Sequence, residues 1–202
     1  MKNQIISIAL ILFTGLLSSC NDDPVADLSS EESLVYYTNR DKSVDFIQYK
    51  TFSVADSILV IQNNRQGYSL TSIDKDMLEG IIANMKALGY TYVGPNDNPD
   101  LGLTASWISD TYLNVASIPI SSYWGYGGYG YGYGYPSYYQ YYQTQENYWL
   151  VNMLDFKNAD TTKKSFPVVW NAQIKGNDIE NPLLINTMVD ALFSQSPYLK
   201  QN

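Results

Sequence analysis

A single cysteine, Cys20, stands at the end of an apolar run near the N-terminus, and the 202-residue chain contains no other. No disulfide can close within the chain, so the fold has to be held by an ordinary buried core. Before Cys20 the sequence reads Met1-Lys2-Asn3-Gln4, then an apolar run from Ile5 to Leu17, then Ser18-Ser19. A short basic start, an apolar stretch and small residues at its end form the pattern of a signal peptide. A helix that spans a bilayer needs about 20 apolar residues. This run has 13 positions and stops at Asn21-Asp22-Asp23, so it is too short for a transmembrane helix.

Leu17-Ser18-Ser19-Cys20 resembles the bacterial lipobox, in which the cysteine is lipidated and becomes the new N-terminus. The thiol serves as the nucleophile that takes the diacylglyceryl group, and the small residues give the peptidase access to the Ser19–Cys20 bond. An odd cysteine in a secreted chain can also remain a free thiol or pair between chains; its place at the end of the apolar run favours lipidation. Two or three acyl chains, palmitate among them, at about 0.8 kcal/mol per buried methylene, make such an anchor effectively permanent. The expected organisation is a signal peptide over 1–19, a lipidated Cys20 with a flexible acidic tether over 20–34, and a folded domain over 35–202. A tether of about 14 residues has a root-mean-square span of roughly 20 Å, enough to hold a domain clear of headgroups. Asn21-Asp22-Asp23 resembles the acidic tract of surface-exported lipoproteins; the alternative is a plain solvated linker.

Loss of Lys2 with the signal leaves 11 basic against 20 acidic side chains, a formal charge of −9. Nothing basic is clustered along the sequence, which disfavours nucleic acid and electrostatic adhesion to anionic lipid. The acyl chains are then the contact with the membrane. Histidine is absent. With the cysteine consumed, Ser-His-Asp triads, Cys-His pairs, His-rich zinc sites and haem ligation are excluded. No metal or cofactor is expected, and the chain is read as a non-enzyme. Catalysis would have to rest on carboxylates, Lys, Tyr or Ser, and a carboxylate-based hydrolase is the remote alternative.

Ile73, Met77, Ile81 and Met85 recur every four residues, widened by Leu78, Ile82 and Leu88, which predicts an amphipathic helix. Thr71 or Ser72 supplies its N-cap, Asp74 and Asp76 suit the positive end of the helix dipole, and Gly89 suits the C-terminal cap. Strands are expected over Tyr49–Val54, Ile58–Ile61, Tyr90–Val93 and Leu101–Val115. A closing hairpin is expected over Trp149–Phe156 and Phe166–Lys175. Asn63–Gly67 reads as a turn. Asn181 is placed to cap a final helix with Pro182 at its first position, carrying Leu184, Met188, Ala191 and Leu192 on its apolar face. The fold class that follows is α+β: a four- to five-stranded, mainly antiparallel sheet with two helices on one face.

A long Tyr/Gly-rich surface loop is expected over 121–146. Residues 123–142 hold 10 of the 19 tyrosines and 6 of the 13 glycines, with no aliphatic side chain to build a core. One reading is a low-complexity insertion, since surface loops are entropically cheap to lengthen. The other is a contact surface formed by Tyr123, Trp124, Tyr126, Tyr129, Tyr131, Tyr133 and Tyr135, because tyrosine combines flat area with a hydroxyl and few rotors. Such a surface would meet an envelope protein, a glycan or a second copy. Base stacking would need interleaved Arg or Lys, which the segment lacks. Asn96, Asn98 and Asp100 have the alternate spacing of a calcium loop, but Leu101 replaces the required glycine, and a turn into a strand is the better account. Trp107, Trp149 and Trp170 fall within expected strands and read as core or half-buried sheet residues.

Several motifs together resemble the DUF4136 lipoprotein family of Bacteroidota and Proteobacteria, over roughly Tyr37 to Tyr198. They are Val44-Asp45-Phe46-Ile47-Gln48-Tyr49-Lys50-Thr51-Phe52, Leu88-Gly89-Tyr90, Asn98-Pro99-Asp100-Leu101, Trp149-Leu150-Val151-Asn152-Met153-Leu154-Asp155 and Val168-Val169-Trp170. Asn171-Ala172 stands where the family pattern has a glycine, and Asn147-Tyr148-Trp149 replaces a simpler strand start. The resemblance implies an α+β lipoprotein domain and carries no catalytic residues. The functional expectation is a non-enzymatic binding or scaffold lipoprotein of the cell envelope, at the outer membrane; the alternative is a surface glycan-binding or adhesive lipoprotein.

Overall fold

The computed structural model describes residues 29–62, 65–109, 114–119, 137–142, 147–159 and 165–201. Two compact units divide the chain at Ser33/Leu34. In the first, the described residues form one turn: Ser33 N–H donates to Ser29 C=O at 3.0 Å, and the Glu32 carboxylate accepts from the Ser29 N–H and hydroxyl at 3.0 and 2.8 Å.

The second unit is built on a sheet of eight strands: β1 (Val35–Arg40), β2 (Thr51–Val54), β3 (Ile58–Gln62), β4 (Arg65–Ser69), β5 (Thr91–Tyr92), β6 (Leu101–Ser109), β9 (Tyr148–Asp155) and β10 (Val168–Lys175). Their order is β1-β10-β9-β6-β2-β5, with β3 continuing past β2 along β6 and carrying β4 outside it. The sheet is larger than the four or five strands expected, and it is mixed. β1/β10, β10/β9, β9/β6 and β3/β4 are antiparallel, whereas β2/β5, β2/β6 and β3/β6 are parallel. The strands not expected are β1 and β4, which are largely polar; the strand expected over Tyr90–Val93 is present as the two-residue β5. Arg65–Ser69, read in part as a turn, forms β4 in register with β3.

A separate two-stranded antiparallel sheet pairs β7 (Asn114–Pro119) with β8 (Ser137–Tyr142). Val115 therefore does not end one long strand with Leu101, because β6 stops at Ser109. The last residues of the expected Tyr/Gly loop are likewise a strand and not a loop. Backbone pairing asks only for extended residues, and tyrosine is a good β-former.

Helix α1 (Ser72–Ala87) starts where expected, on a capping box. Thr71 Oγ1 accepts from the Asp74 N–H at 3.3 Å, and Asp74 Oδ2 accepts from the Thr71 N–H at 2.6 Å. The helix ends at Gly89, whose φ of 98° is the left-handed value that favours glycine there. Helix α2 spans Ile185–Ser194 with Leu184 at its N-cap and no side-chain cap. Asn181 does not cap it: its Oδ1 accepts from Leu183 N–H and its carbonyl from Leu184 N–H, closing the turn that precedes the helix.

Alternation along β9 divides the core between two faces. Trp149, Val151 and Met153 face α1 and α2, joining Met77, Ile81 and Met85 with Met188, Val189 and Leu192. Both helices thus pack on one face, as expected. Tyr148, Leu150 and Leu154 turn the other way, into a smaller buried cluster with Leu59, Ile61, Ile108, Phe156 and Phe166. All eight residues of β9 are buried, so it is the central strand of the fold. At Gly80 the two helices meet closely, and a Cβ there would lie in van der Waals contact with Val189 at 3.4 Å. Trp170 stacks on Phe193 at 5.4 Å, and Trp149 donates its indole N–H to Ile179 C=O at 2.7 Å. Trp149 and Trp170 are core residues, and Trp107 is partly buried against Trp149.

Candidate functional site

Three arrangements were candidates for chemistry: the buried acids, a groove beside α1, and a cleft at the chain's C-terminal end. Cys20, Ser19, Tyr123, Trp124, Tyr126, Tyr129, Tyr131, Tyr133 and Tyr135, the sequence-derived site residues, lie outside the described residues.

Among the described residues two carboxylates are buried, Asp74 and Asp155. Asp155 Oδ2 accepts from the Tyr49 hydroxyl at 2.6 Å and from Asn158 Nδ2 at 2.9 Å, and Oδ1 accepts from Asn158 N–H at 2.9 Å. Burial, then the Asp155 acceptor, pushes the Tyr49 hydroxyl well above its ordinary range. A phenol held that firmly protonated donates a hydrogen bond and does not act as base or nucleophile at neutral pH. Asp74 Oδ2 is engaged by Thr71 N–H and by the Ser69 hydroxyl, each at 2.6 Å. Asp100 ties the starts of β2 and β6 together: Oδ2 accepts from Lys50 and Thr51 N–H at 2.6 and 3.1 Å, and its own N–H donates to Thr51 Oγ1. The Asn96–Asp100 stretch is thus a turn into a strand, with Asn98 at a left-handed φ of 51°. Among the described residues no group of three or more acidic side chains is placed to hold a metal ion.

The groove beside α1, of about 360 Å³, is lined by Val54, Leu70, Leu78, Ile82, Tyr92 and Pro95. Leu70 and Tyr92 are 50 % and 40 % exposed.

The cleft is larger, about 610 Å³, and polar as well as apolar. Its walls are the end of β1 at Arg40, the segment Val44–Ile47, and the tail Pro197–Gln201. Asp45 caps a one-turn 3-10 helix over Phe46–Gln48 by accepting from Ile47 N–H at 3.1 Å. A second 3-10 turn, Pro197–Leu199, presents Tyr198. The Arg40 guanidinium lies over the Tyr198 ring, 3.9 Å from its centroid. The Tyr198 hydroxyl meets the buried Ser196 hydroxyl at 3.1 Å, and Ser196 accepts from the Trp170 indole N–H at 3.0 Å. Gln201 closes the end of the cleft: its N–H donates to Leu88 C=O at 2.8 Å, Nε2 donates to Phe46 C=O at 2.9 Å, and Oε1 accepts from Lys50 Nζ at 2.9 Å. Lys157 Nζ donates to Gln48 C=O at 2.9 Å. The fold thus gathers Arg40, Lys50, Lys157 and Lys200 at one end of the domain. Sequence reasoning missed this cluster because its members are scattered from 40 to 200, and no local run of charge marks it.

Among the described residues the architecture is that of an α+β domain: a mixed eight-stranded sheet with two helices over one face, a separate two-stranded sheet, and a cleft lined by the segment Pro197–Gln201. Residues 36–198 match the family model described as Domain of unknown function (DUF4136), and the chain belongs to that family. A crystal structure of a DUF4136 family protein from Bacteroides thetaiotaomicron is similar, with a TM-score of 0.63 and 28 % identity over 84 % of this chain and 99 % of that one. Weaker likeness extends to the PelC dodecamer from Paraburkholderia phytofirmans, at 11 % identity and a TM-score of 0.42, covering 84 % of this chain and 99 % of that one. It extends also to a PDZ domain protein from Parabacteroides distasonis, at 13 % and 0.42, covering 83 % of this chain and 37 % of that one. No curated protein matches. Among the described residues no helix is long and apolar enough to cross a membrane, which says nothing of a β-barrel.

Proposed function

We propose that this DUF4136 protein is a non-enzymatic lipoprotein of the cell envelope, anchored in the outer membrane through acyl chains on Cys20, and that its domain is a binding or scaffold module with the Tyr/Gly segment as one contact surface. The observation that carries the non-enzymatic part is the engagement of the buried carboxylates. Asp155 holds Tyr49 and Asn158, and Asp74 holds Ser69 and the start of α1. General acid–base work needs a group free to reach a substrate proton, and these are committed to the fold. The lipobox-like Leu17-Ser18-Ser19-Cys20 and the acidic stretch after it support the anchor and the outward location.

Metabolic labelling with an alkyne palmitate, comparing the natural chain with Cys20→Ser, tests the anchor. The natural chain should carry label and float with outer membranes; equal labelling of both refutes the lipid attachment. Crosslinking in native membranes, with and without residues 121–136, tests the contact surface. An unchanged partner pattern after deletion makes the segment filler, and selective loss of retention on a glycan array favours the adhesive alternative.

A further inference from the structure

We propose that the cleft between Arg40, Val44–Ile47 and Pro197–Gln201 captures the C-terminal carboxylate of a peptide whose last side chain is apolar. The first support is the state of Arg40. One face of its guanidinium is covered by the Tyr198 ring, and no carboxylate pairs with it among the described residues. A stacked guanidinium keeps its in-plane N–H donors free, and their fork matches a carboxylate. Stacking also fixes the long side chain beforehand, so less rotamer freedom is lost when the anion arrives.

The second support is charge. Two cations, Arg40 and Lys200, line the cleft against one acid, Asp45. In a mature chain with a formal charge of −9 the lining is a local excess of positive charge, and Lys50 reaches its end at Gln201. That excess suits an anion. The third support is the remaining lining. Val44, Phe46, Ile47 and Pro197 form an apolar wall beside the charged end, and Ile47 is 45 % exposed. An apolar last residue would cover that wall. Asp45 uses Oδ1 on Ile47 N–H, which leaves Oδ2 to accept a peptide N–H. Carboxylate, apolar side chain and amide donor together describe a peptide end.

The test uses the mature full chain in detergent micelles and three probes: acetyl-Gly-Ala-Leu with a free carboxylate, the same peptide as its amide, and inorganic phosphate. The Arg40 Nε–Hε resonance reports binding. The free acid should shift it saturably, and the amide should bind about tenfold more weakly or worse, the loss of one charge-assisted pair. Arg40→Gln should weaken binding about tenfold, read from the Ile47 amide resonance; Arg40→Lys should fall between. Lys200→Gln should weaken it about threefold, as an exposed charge does. Lys200 is exposed, so its substitution leaves the fold intact and guards against misreading an unfolded Arg40 variant. The proposal is overturned if acid and amide bind alike, if the acid gives no saturable shift at millimolar concentration, or if phosphate displaces the peptide at equal concentration. It fails also if Arg40→Lys and Lys200→Gln both bind as the unaltered chain does. Deleting residues 121–136 should leave the affinity unchanged, so failure here is distinct from failure of the Tyr/Gly reading.

Discussion

Gly102→Ala should destabilise the domain, and only because of Phe156. Gly102 lies within β6, opposite Leu154 on β9 and Ser53 on β2. A Cβ at Gly102 would sit 2.5 Å from Phe156 Cε2 and 2.7 Å from Cε1, inside contact distance. The ring has little room to withdraw. Phe156 is 6 % exposed, its centroid is 4.5 Å from that of Phe166, and its N–H is tied to Asp100 C=O at 3.0 Å. Overpacking of this kind costs about 1–3 kcal/mol. Replacing a strand glycine returns about 0.5–1 kcal/mol of backbone entropy. The net expectation is a loss of up to about 2.5 kcal/mol, which for a domain of this size lowers Tm by up to roughly 10 °C. Urea unfolding followed by circular dichroism measures it. Phe156→Ala alone should cost about 3–5 kcal/mol as a cavity. In that background Gly102→Ala should be neutral or stabilising by up to about 1 kcal/mol, since the clash is gone and the entropy gain remains. If Gly102→Ala costs as much in the Phe156→Ala background as in the natural chain, the ring contact is not the reason for the glycine.

Tyr49→Phe leaves Asp155 with only Asn158 as donor and should cost about 1.5–3 kcal/mol by urea unfolding, the range for hydrogen bonds to charged groups. Thr71→Ala removes one half of the capping box and should cost about 1 kcal/mol in the same assay, with Thr71→Ser near neutral. Tyr90 is buried, and its hydroxyl lies near Gln201 without forming a hydrogen bond of good geometry. Burial pushes it up to about 12 from an ordinary value of 10.0. The folded state therefore holds a proton that the unfolded chain releases first, so stability is complete below pH 10 and falls between pH 10 and 12. Tyr90→Phe should flatten that alkaline loss and raise stability at neutral pH by about 1 kcal/mol, because an unpaired buried hydroxyl is removed.

How far the fold could be read from the chain depended on where the physics was local. α1 was legible to its capping residues because periodicity and caps are encoded within one short stretch. The β9–β10 hairpin was legible for the same reason: Trp149–Phe156 is apolar on both faces, which marks a central strand. β1 was not legible, since Val35-Tyr36-Tyr37-Thr38-Asn39-Arg40 is half polar and gains strand identity only by pairing with β10. Nor was the start of the second helix. Pro182 and Asn181 carry a helix-start signature, yet the chain spends them on a turn, and Ile179 is buried there to meet Trp149. The parallel pairing of β2 and β3 with β6 had no local signal at all, because it is set by how α1 returns the chain.

The cleft shows the same limit at its strongest, because its walls come from segments far apart along the chain. Here Gln201 makes three hydrogen bonds to three separate segments, at Leu88, Phe46 and Lys50. Gly89 makes room for it, since a Cβ there would lie 2.9 Å from Gln201 Cβ. The glycine that ends α1 therefore has a second role that helix capping alone does not reveal. By leaving space for Gln201, it lets the tail seat Tyr198 against Arg40. A substitution at Gly89 should loosen the cleft before it unfolds the helix, because the crowded Cβ acts directly on Gln201 whereas the left-handed φ is needed only past the last turn of α1. The order of those two losses, Arg40 side-chain resonance broadening ahead of helical signal on warming the Gly89→Ala chain, separates a tail that builds the site from a tail that merely covers it.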